Sequence, residues 1–318
     1  MKTHYPLTRR DLITGGITLA ASGSLLTHAD AAPTKDFSFV HLTDTHIQPE
    51  LGATEGVRKA FAAIRSLKEK PTFALVGGDI VMDAAMVDRK RTDAVYDLWQ
   101  STADELGVPL YYSVGNHDVY AIGGSAPVAK DNPEWGKGMW QKRTGAKNRY
   151  DTFDFGGYRF VTLDSVQIAE GGKWWGEFDA EQLMWLDNLL RKTGNTMPLV
   201  FLTHIPVMTL FGQYTGGTTQ ALGEGMIVKN GREFVEMIAP YNAQAVLQGH
   251  THVVEVCEYL GTRYITGGAV CGDWWKGKRL GVHPEGFNVF SVKGGKLAHR
   301  YVPYGWDAAK YAAKKQDG

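Results

Sequence analysis

Two cysteines in 318 residues, Cys257 and Cys271, are too few for a disulfide framework, and their spacing is not that of a zinc knuckle. A single bridge or two free thiols are both open. Charge bias is absent as well: 34 Lys and Arg balance 34 Asp and Glu. A polymeric nucleic-acid partner or a membrane surface held by bulk charge is therefore not expected. Apolar runs are short, below the ~20 residues that a membrane span needs. No internal repeat and no low-complexity tract interrupts the chain. What remains, at 43% hydrophobic and 21% charged residues, has the composition of an ordinary globular protein with room for one large core. A single domain over 32–318 is expected, since no linker-like stretch separates the polar motifs described below.

The first 31 residues read differently. Thr8-Arg9-Arg10-Asp11-Leu12-Ile13 opens a weakly apolar stretch, and Ala29-Asp30-Ala31 places small residues at cleavage spacing. A basic region, a short apolar region and A-x-A form an export signal, and the paired arginines point to the twin-arginine route, which carries folded proteins. The expectation is an exported protein, periplasmic or extracellular, handed to that export machinery. Removing residues 1–31 takes away three basic and two acidic residues and leaves the remainder one charge negative.

From residue 32 the pattern alternates between short apolar runs and amphipathic stretches, which predicts an α/β protein. Strands are predicted at 37–42, 72–76, 109–114, 198–203 and 243–248, with helices near 54–67, 85–106, 179–192 and 231–239. Gly156-Gly157 sets up a hairpin between 150–155 and 158–163, and Asp179 is placed to cap the helix that follows it. Four more strands, 252–259, 262–266, 287–292 and 296–303, close the chain. Residues 120–149 lack a clear period and read as a long loop with one helical turn at most. Parallel units first and hairpins later imply two packed sheets with helices outside.

Five of these runs stop on potential metal ligands: Asp44-Thr45-His46, Asp79, Asn116-His117-Asp118, His204 and His250-Thr251-His252. Ligands gather beyond the carboxyl ends of such strands, and carboxylates with imidazoles suit a pair of borderline metals. The glycines before Asp79 and Asn116 allow close backbone approach. One such piece alone is weak; five in order, each at a separate strand end, are specific.

The ordered set D-x-H, G-G-D, G-N-H-D, H, G-H-x-H resembles the calcineurin-like metallophosphoesterase superfamily, in the bacterial phosphodiesterase and phosphatase branches. That resemblance implies a four-layer αββα sandwich of two mixed sheets flanked by helices, carrying a binuclear centre. It implies that Asp44, His46 and His252 hold one ion, that Asn116, His204 and His250 hold the other, and that Asp79 bridges. His117 would bind phosphate or protonate the leaving group, with Asp118 as a supporting carboxylate. Met82 stands where the purple acid phosphatases have a tyrosine, so a tyrosinate-bound ferric ion is not implied. The ions, divalent or mixed-valence, would be Fe, Mn or Zn. The expected reaction is hydrolysis of a small phosphodiester or phosphomonoester through a metal-bridging hydroxide. The alternative from another class is a non-catalytic metal- or phosphate-binding protein on the same fold. Around the site, Trp274, Trp275 and His283 are candidate substrate contacts, Trp174 and Trp175 candidate loop anchors, and His41 a buried, hydrogen-bonded neighbour. The sequence leaves the oligomeric state open.

Overall fold

The computed structural model describes residues 35–126 and 128–312. The chain divides between Ala31 and Ala32; the described residues belong to the second unit, and the expected export signal lies outside them.

Strand β1 (Phe37–Leu42) alternates as its sequence predicts: Phe37 and Phe39 face one buried layer, Val40 and Leu42 another. Helix α1 (Ala53–Arg65) buries Val57, Phe61 and Ile64 on one face. Strand β2 (Ala74–Val76) pairs parallel with β1. Helix α2 (Arg89–Ala103) starts later than expected because the Asp88 carboxylate accepts the Arg91 amide at 2.8 Å and caps it there. Its end tightens into a 3₁₀ turn, Asp104–Leu106. Strand β3 (Leu110–Tyr112) adds parallel to β2.

The segment read as loop contains an eight-residue helix, α3 (Lys137–Thr144), with Met139 and Trp140 buried. So short an element shows too few turns for its period to register in sequence. Strands β4 (Asp151–Phe155) and β5 (Tyr158–Thr162) form the predicted hairpin. A second hairpin, β6 (Val166–Ala169) with β7 (Lys173–Gly176), was not foreseen; it carries Trp174 and Trp175. Helix α4 (Ala180–Thr193) is capped by Asp179 as expected, its carboxylate accepting the Gln182 amide at 2.8 Å. There follow β8 (Leu199–Leu202), α5 (Phe211–Gly216), α6 (Gly231–Ile238) and β9 (Ala243–Gln248). The chain then adds β10 (Val254–Tyr259), β11 (Thr262–Gly267), β12 (Gly286–Lys293), β13 (Lys296–Pro303) and α7 (Ala309–Ala312).

Two large mixed sheets result. One runs β13-β12-β1-β2-β3, the other β10-β11-β9-β8-β5-β4. Between them lies an aromatic layer. Phe39 stacks on Phe73 and Phe290, at 5.2 and 4.8 Å between centroids, and meets Phe160 of the other sheet edge-on at 5.2 Å. Such pairs add about 0.5–1.5 kcal/mol each beyond the area they bury. Helices cover the outer faces. Trp99 of α2 lies against Phe61 of α1 and Tyr112 of the first sheet. Phe234 of α6 packs edge-on against Phe201 of the second. The layers are α, β, β, α. Cys257 and Cys271 are unpaired thiols. Among the described residues no helix is long and apolar enough to cross a membrane.

Candidate metal centre

In each sheet three neighbouring strands run parallel, β1, β2 and β3 in one and β5, β8 and β9 in the other. Their carboxyl ends therefore share one rim. The pairing continues past the strands themselves. The amides of Asp44, His46 and Ile47 donate to the carbonyls of Gly78, Asp79 and Ile80, each at 3.0 Å, and the Gly249 amide donates to the His204 carbonyl at 2.9 Å. These bonds hold the loops beyond β1 and β2 side by side, and likewise those beyond β8 and β9.

All seven expected ligands meet on that rim. His46 Nε2 lies 3.6 Å from Asp79 Oδ2, and His204 Nε2 lies 3.2 Å from the same oxygen. His252 Nε2 is 3.2 Å from Asp44 Oδ1 and 3.2 Å from His46 Nε2. Asn116 Oδ1 stands 3.1 Å from His204 Nε2. His250 joins Asp79 and His204, and His117 joins His46 and Asp79, in groups whose nearest ligand atoms lie within 4.8 Å of one another. Asp44, His46, Asp79, His204 and His252 are all at most 2% exposed.

Five of the seven, Asp44, His46, Asp79, His250 and His252, have left-handed backbone angles, with φ between 39° and 70°. Non-glycine residues seldom adopt that region, and clusters of them mark functional sites. Two glycines make room for the crowding. A Cβ on Gly115 would stand 2.1 Å from the Asp79 amide nitrogen, and one on Gly249 would stand 2.1 Å from Thr43 Oγ1 and 2.6 Å from Asp44 Oδ2.

The far side of three of the rings is fixed by backbone. His204 Nδ1 pairs with the Gly77 carbonyl at 2.7 Å, His252 Nδ1 with the Gly272 carbonyl at 2.6 Å, and His117 Nδ1 with the Met82 carbonyl at 2.7 Å. A carbonyl only accepts, so each Nδ1 carries the hydrogen, and in the neutral ring each Nε2 has its lone pair directed inward. His46, whose Nδ1 has no hydrogen-bond partner among the described residues, brings its Nε2 to 3.2 Å from that of His252. His250 Nε2 is buried with no hydrogen-bond partner among the described residues. Converging imidazole and carboxylate donors with an orphaned buried nitrogen fit a metal ion and fit little else.

The buried carboxylates and imidazoles shift one another strongly, and His252 is raised against burial by Cys271 and Asp44. Burial resists ionisation of Asp44, but His252, with His46 and His204 behind it, holds its carboxyl well below the usual range. Asp79 is likewise lowered: burial opposes, and His204, His117 and His46 prevail. Burial pushes His46 down to about 4 and His250 down to about 3. It also opposes charging His204, yet Asp79 lifts that residue to about 9.

A family model described as calcineurin-like phosphoesterase matches residues 37–254, from the first residue of β1 to two residues beyond the last ligand. The chain belongs to that family. A probable cyclic nucleotide phosphodiesterase of Synechococcus is 27% identical over 225 residues, covering 68% of this chain and 73% of the relative. A probable glycerophosphodiester phosphodiesterase of Arcobacter nitrofigilis is 26% identical over 182 residues, covering 53% of this chain and 57% of the relative. A putative 5'-nucleotidase of Staphylococcus aureus shares the fold, with TM-score 0.50 and 14% identity over 89% of this chain and 58% of that one. This phosphoesterase is a metal-dependent phosphoester hydrolase.

Several residues of the phosphoesterase stand elsewhere than their sequence position suggested. Asp118 is buried, and its carboxylate is taken up by backbone: it accepts the amides of Asp79, Ile80 and Gly115 at 2.9, 2.8 and 2.8 Å and that of Val81 at 3.3 Å. Burial, and Asp79 next to it, push its carboxyl up to about 7 against the Gly115 and Val81 amides and the charge of His204. Replacing Asp118 by alanine leaves four amides without their acceptor. Urea denaturation should show a loss of roughly 3 kcal/mol or more, and a loss below about 1 kcal/mol would contradict this account.

Trp275 does not reach the solvent side where substrate would arrive. It is 1% exposed, and its Nε1 donates to the His46 carbonyl at 3.0 Å. His283 accepts the Val254 amide at Nδ1, 3.1 Å, and lines a separate cleft of about 230 Å³ with Leu210, Phe211, Tyr214 and Val253. His41 is buried, but neither ring nitrogen has a hydrogen-bond partner among the described residues. Trp174, read as a loop anchor, has its ring 5.5 Å from that of His250. Thr43, which donates to Asp44 Oδ2 at 2.6 Å, was missed, although it directly precedes the first ligand.

Proposed function

We propose that this phosphoesterase hydrolyses small phosphodiesters at a two-ion centre, and that it does so after export. The observation that carries the two-ion reading is the position of Asp79 Oδ2, flanked by His46 on one side and His204 on the other. Asp44, His46 and His252 would hold one ion and Asn116, His204 and His250 the other, with Asp79 serving both. Bound there, ions of the Fe, Mn or Zn type supply Lewis acidity toward phosphoryl oxygen and a water acidic enough to attack near neutral pH. Preference for diesters over monoesters draws support from the two relatives, both named as phosphodiesterases. Export draws support from the paired arginines and small residues of the first 31 positions.

The chain's own part is positioning and proton handling. His117 is held from both ends. Its amide donates to Asp79 Oδ1 at 2.8 Å and its Nδ1 pairs with Met82. Nε2 is then the atom that carries a second proton and delivers it to the phosphoryl oxygen or the departing alkoxide. Asp118 acts through Asp79, fixing the loop from which that carboxylate projects.

Full-length protein stripped with a chelator should lose hydrolysis of bis(p-nitrophenyl) phosphate and regain it when Mn, Fe or Zn is restored. The loaded protein should turn over the bis-aryl ester at least about tenfold faster than p-nitrophenyl phosphate. The reverse preference would sink the diester reading. Turnover of neither, with phosphate still bound, would leave the non-catalytic alternative.

A further inference from the structure

Between Cys271 and Gly277 the backbone places two consecutive tryptophans, 274 and 275, in left-handed conformations, with φ at 56° and 67°. Bulky side chains rarely adopt that region, so the surroundings must impose it. Trp275 supplies the constraint. Its amide donates to the Cys271 carbonyl at 2.8 Å and its indole N–H to His46. Its ring lies over Gly56 of α1, where a Cβ would stand 2.0 Å from it, and meets Trp306 edge-on at 5.3 Å. Asp273 closes the turn by donating to the Gly277 carbonyl at 2.7 Å and accepting Arg279 Nη1 at 2.8 Å. One tryptophan is thus spent on holding the other in place.

The tryptophan so held is Trp274. Its ring centroid lies 4.2 Å from that of His46, 4.8 Å from His252 and 5.2 Å from His117. It therefore leans on two expected ligands and on the expected proton donor together, and it remains half-buried where Trp275 is fully buried. Arg279 of this loop is turned away from substrate by Asp273 and by the Thr251 carbonyl at 3.3 Å.

We propose that Trp274 is a specificity-determining platform on which one ester arm of the substrate lies, and that it selects phosphodiesters whose arm is a planar aromatic or heteroaromatic ring. The proposal rests on the diester reading above. A ring joined to phosphorus through one ester oxygen is within reach of an indole that also touches His117. A rigid aromatic face binds such a ring with little loss of freedom and without regard to its substituents.

The test keeps the leaving group constant and varies the other arm. Metal-loaded full-length protein and its Trp274→Ala, Trp274→Leu and Trp274→Phe variants are compared on phenyl p-nitrophenyl phosphate and methyl p-nitrophenyl phosphate. Metal content is checked by elemental analysis. The platform predicts that Ala and Leu lower kcat/KM on the phenyl ester by about 5- to 100-fold relative to the methyl ester, chiefly through KM, and that Phe restores most of it. An equal fall on both esters, or none, overturns it, as does a wild type indifferent to the arm. Calorimetry with phenylphosphonate and methylphosphonate separates the two readings. Protein that turns over neither ester but prefers phenylphosphonate in a Trp274-dependent way defeats the diesterase reading and keeps the platform. Absence of that preference defeats the platform.

Discussion

Asp79→Ala should purify with less metal than the parent chain and hydrolyse bis(p-nitrophenyl) phosphate at least about a thousandfold more slowly. One carboxylate oxygen lies near both His46 and His204, and the other accepts the His117 amide. Its loss removes a ligand from both proposed ion positions and releases the backbone under the proposed proton donor. Lewis-acid stabilisation is worth several kcal/mol, and each 1.36 kcal/mol is a factor of ten in rate, which sets the size of the fall. Elemental analysis and steady-state kinetics on the same preparation check it. A variant with full metal content and activity within tenfold of the parent would remove Asp79 from the centre altogether.

His117→Ala should behave in the opposite way toward metal. Its ring is proposed to move a proton and is not counted among the ligands, so metal content should match the parent while kcat falls about 10²–10⁴-fold. The fall should depend on the leaving group. p-Nitrophenolate departs readily without protonation, whereas an alkoxide does not, so the loss should be much larger on a dialkyl ester than on the bis-aryl one. Equal losses on both would assign His117 to phosphoryl binding in place of leaving-group protonation. A metal-depleted variant would make it a ligand.

The strands that carry the site were legible because each is short, apolar and cut off by a charged or glycine residue, as in FALVGGD and AVLQGH. The hairpin at Gly156-Gly157 and the cap at Asp179 were legible because turn and cap chemistry is local. Helix α3 and the β6–β7 hairpin were not, since both are too short for a period to emerge, and tertiary contacts decide them. Within the site the residues that meet on the rim could be read in order, but their backbone strain could not. Left-handed angles are signalled in sequence by glycine and asparagine, and here Asp and His occupy them under constraint from both sheets. The same gap separates Trp274 from Trp275. Adjacent and chemically identical, they differ only in which of them finds Gly56 and the His46 carbonyl.

The proposed ligands are divided between the sheets: Asp44, His46, Asp79 and Asn116 follow strands of one, His204, His250 and His252 follow strands of the other. β1, moreover, is flanked by β12, which is made last but one. A growing chain therefore cannot present a complete set of donors until nearly all of it has left the ribosome and the two halves have docked. Any cation that needs all seven donors would then be taken up late in the life of each molecule.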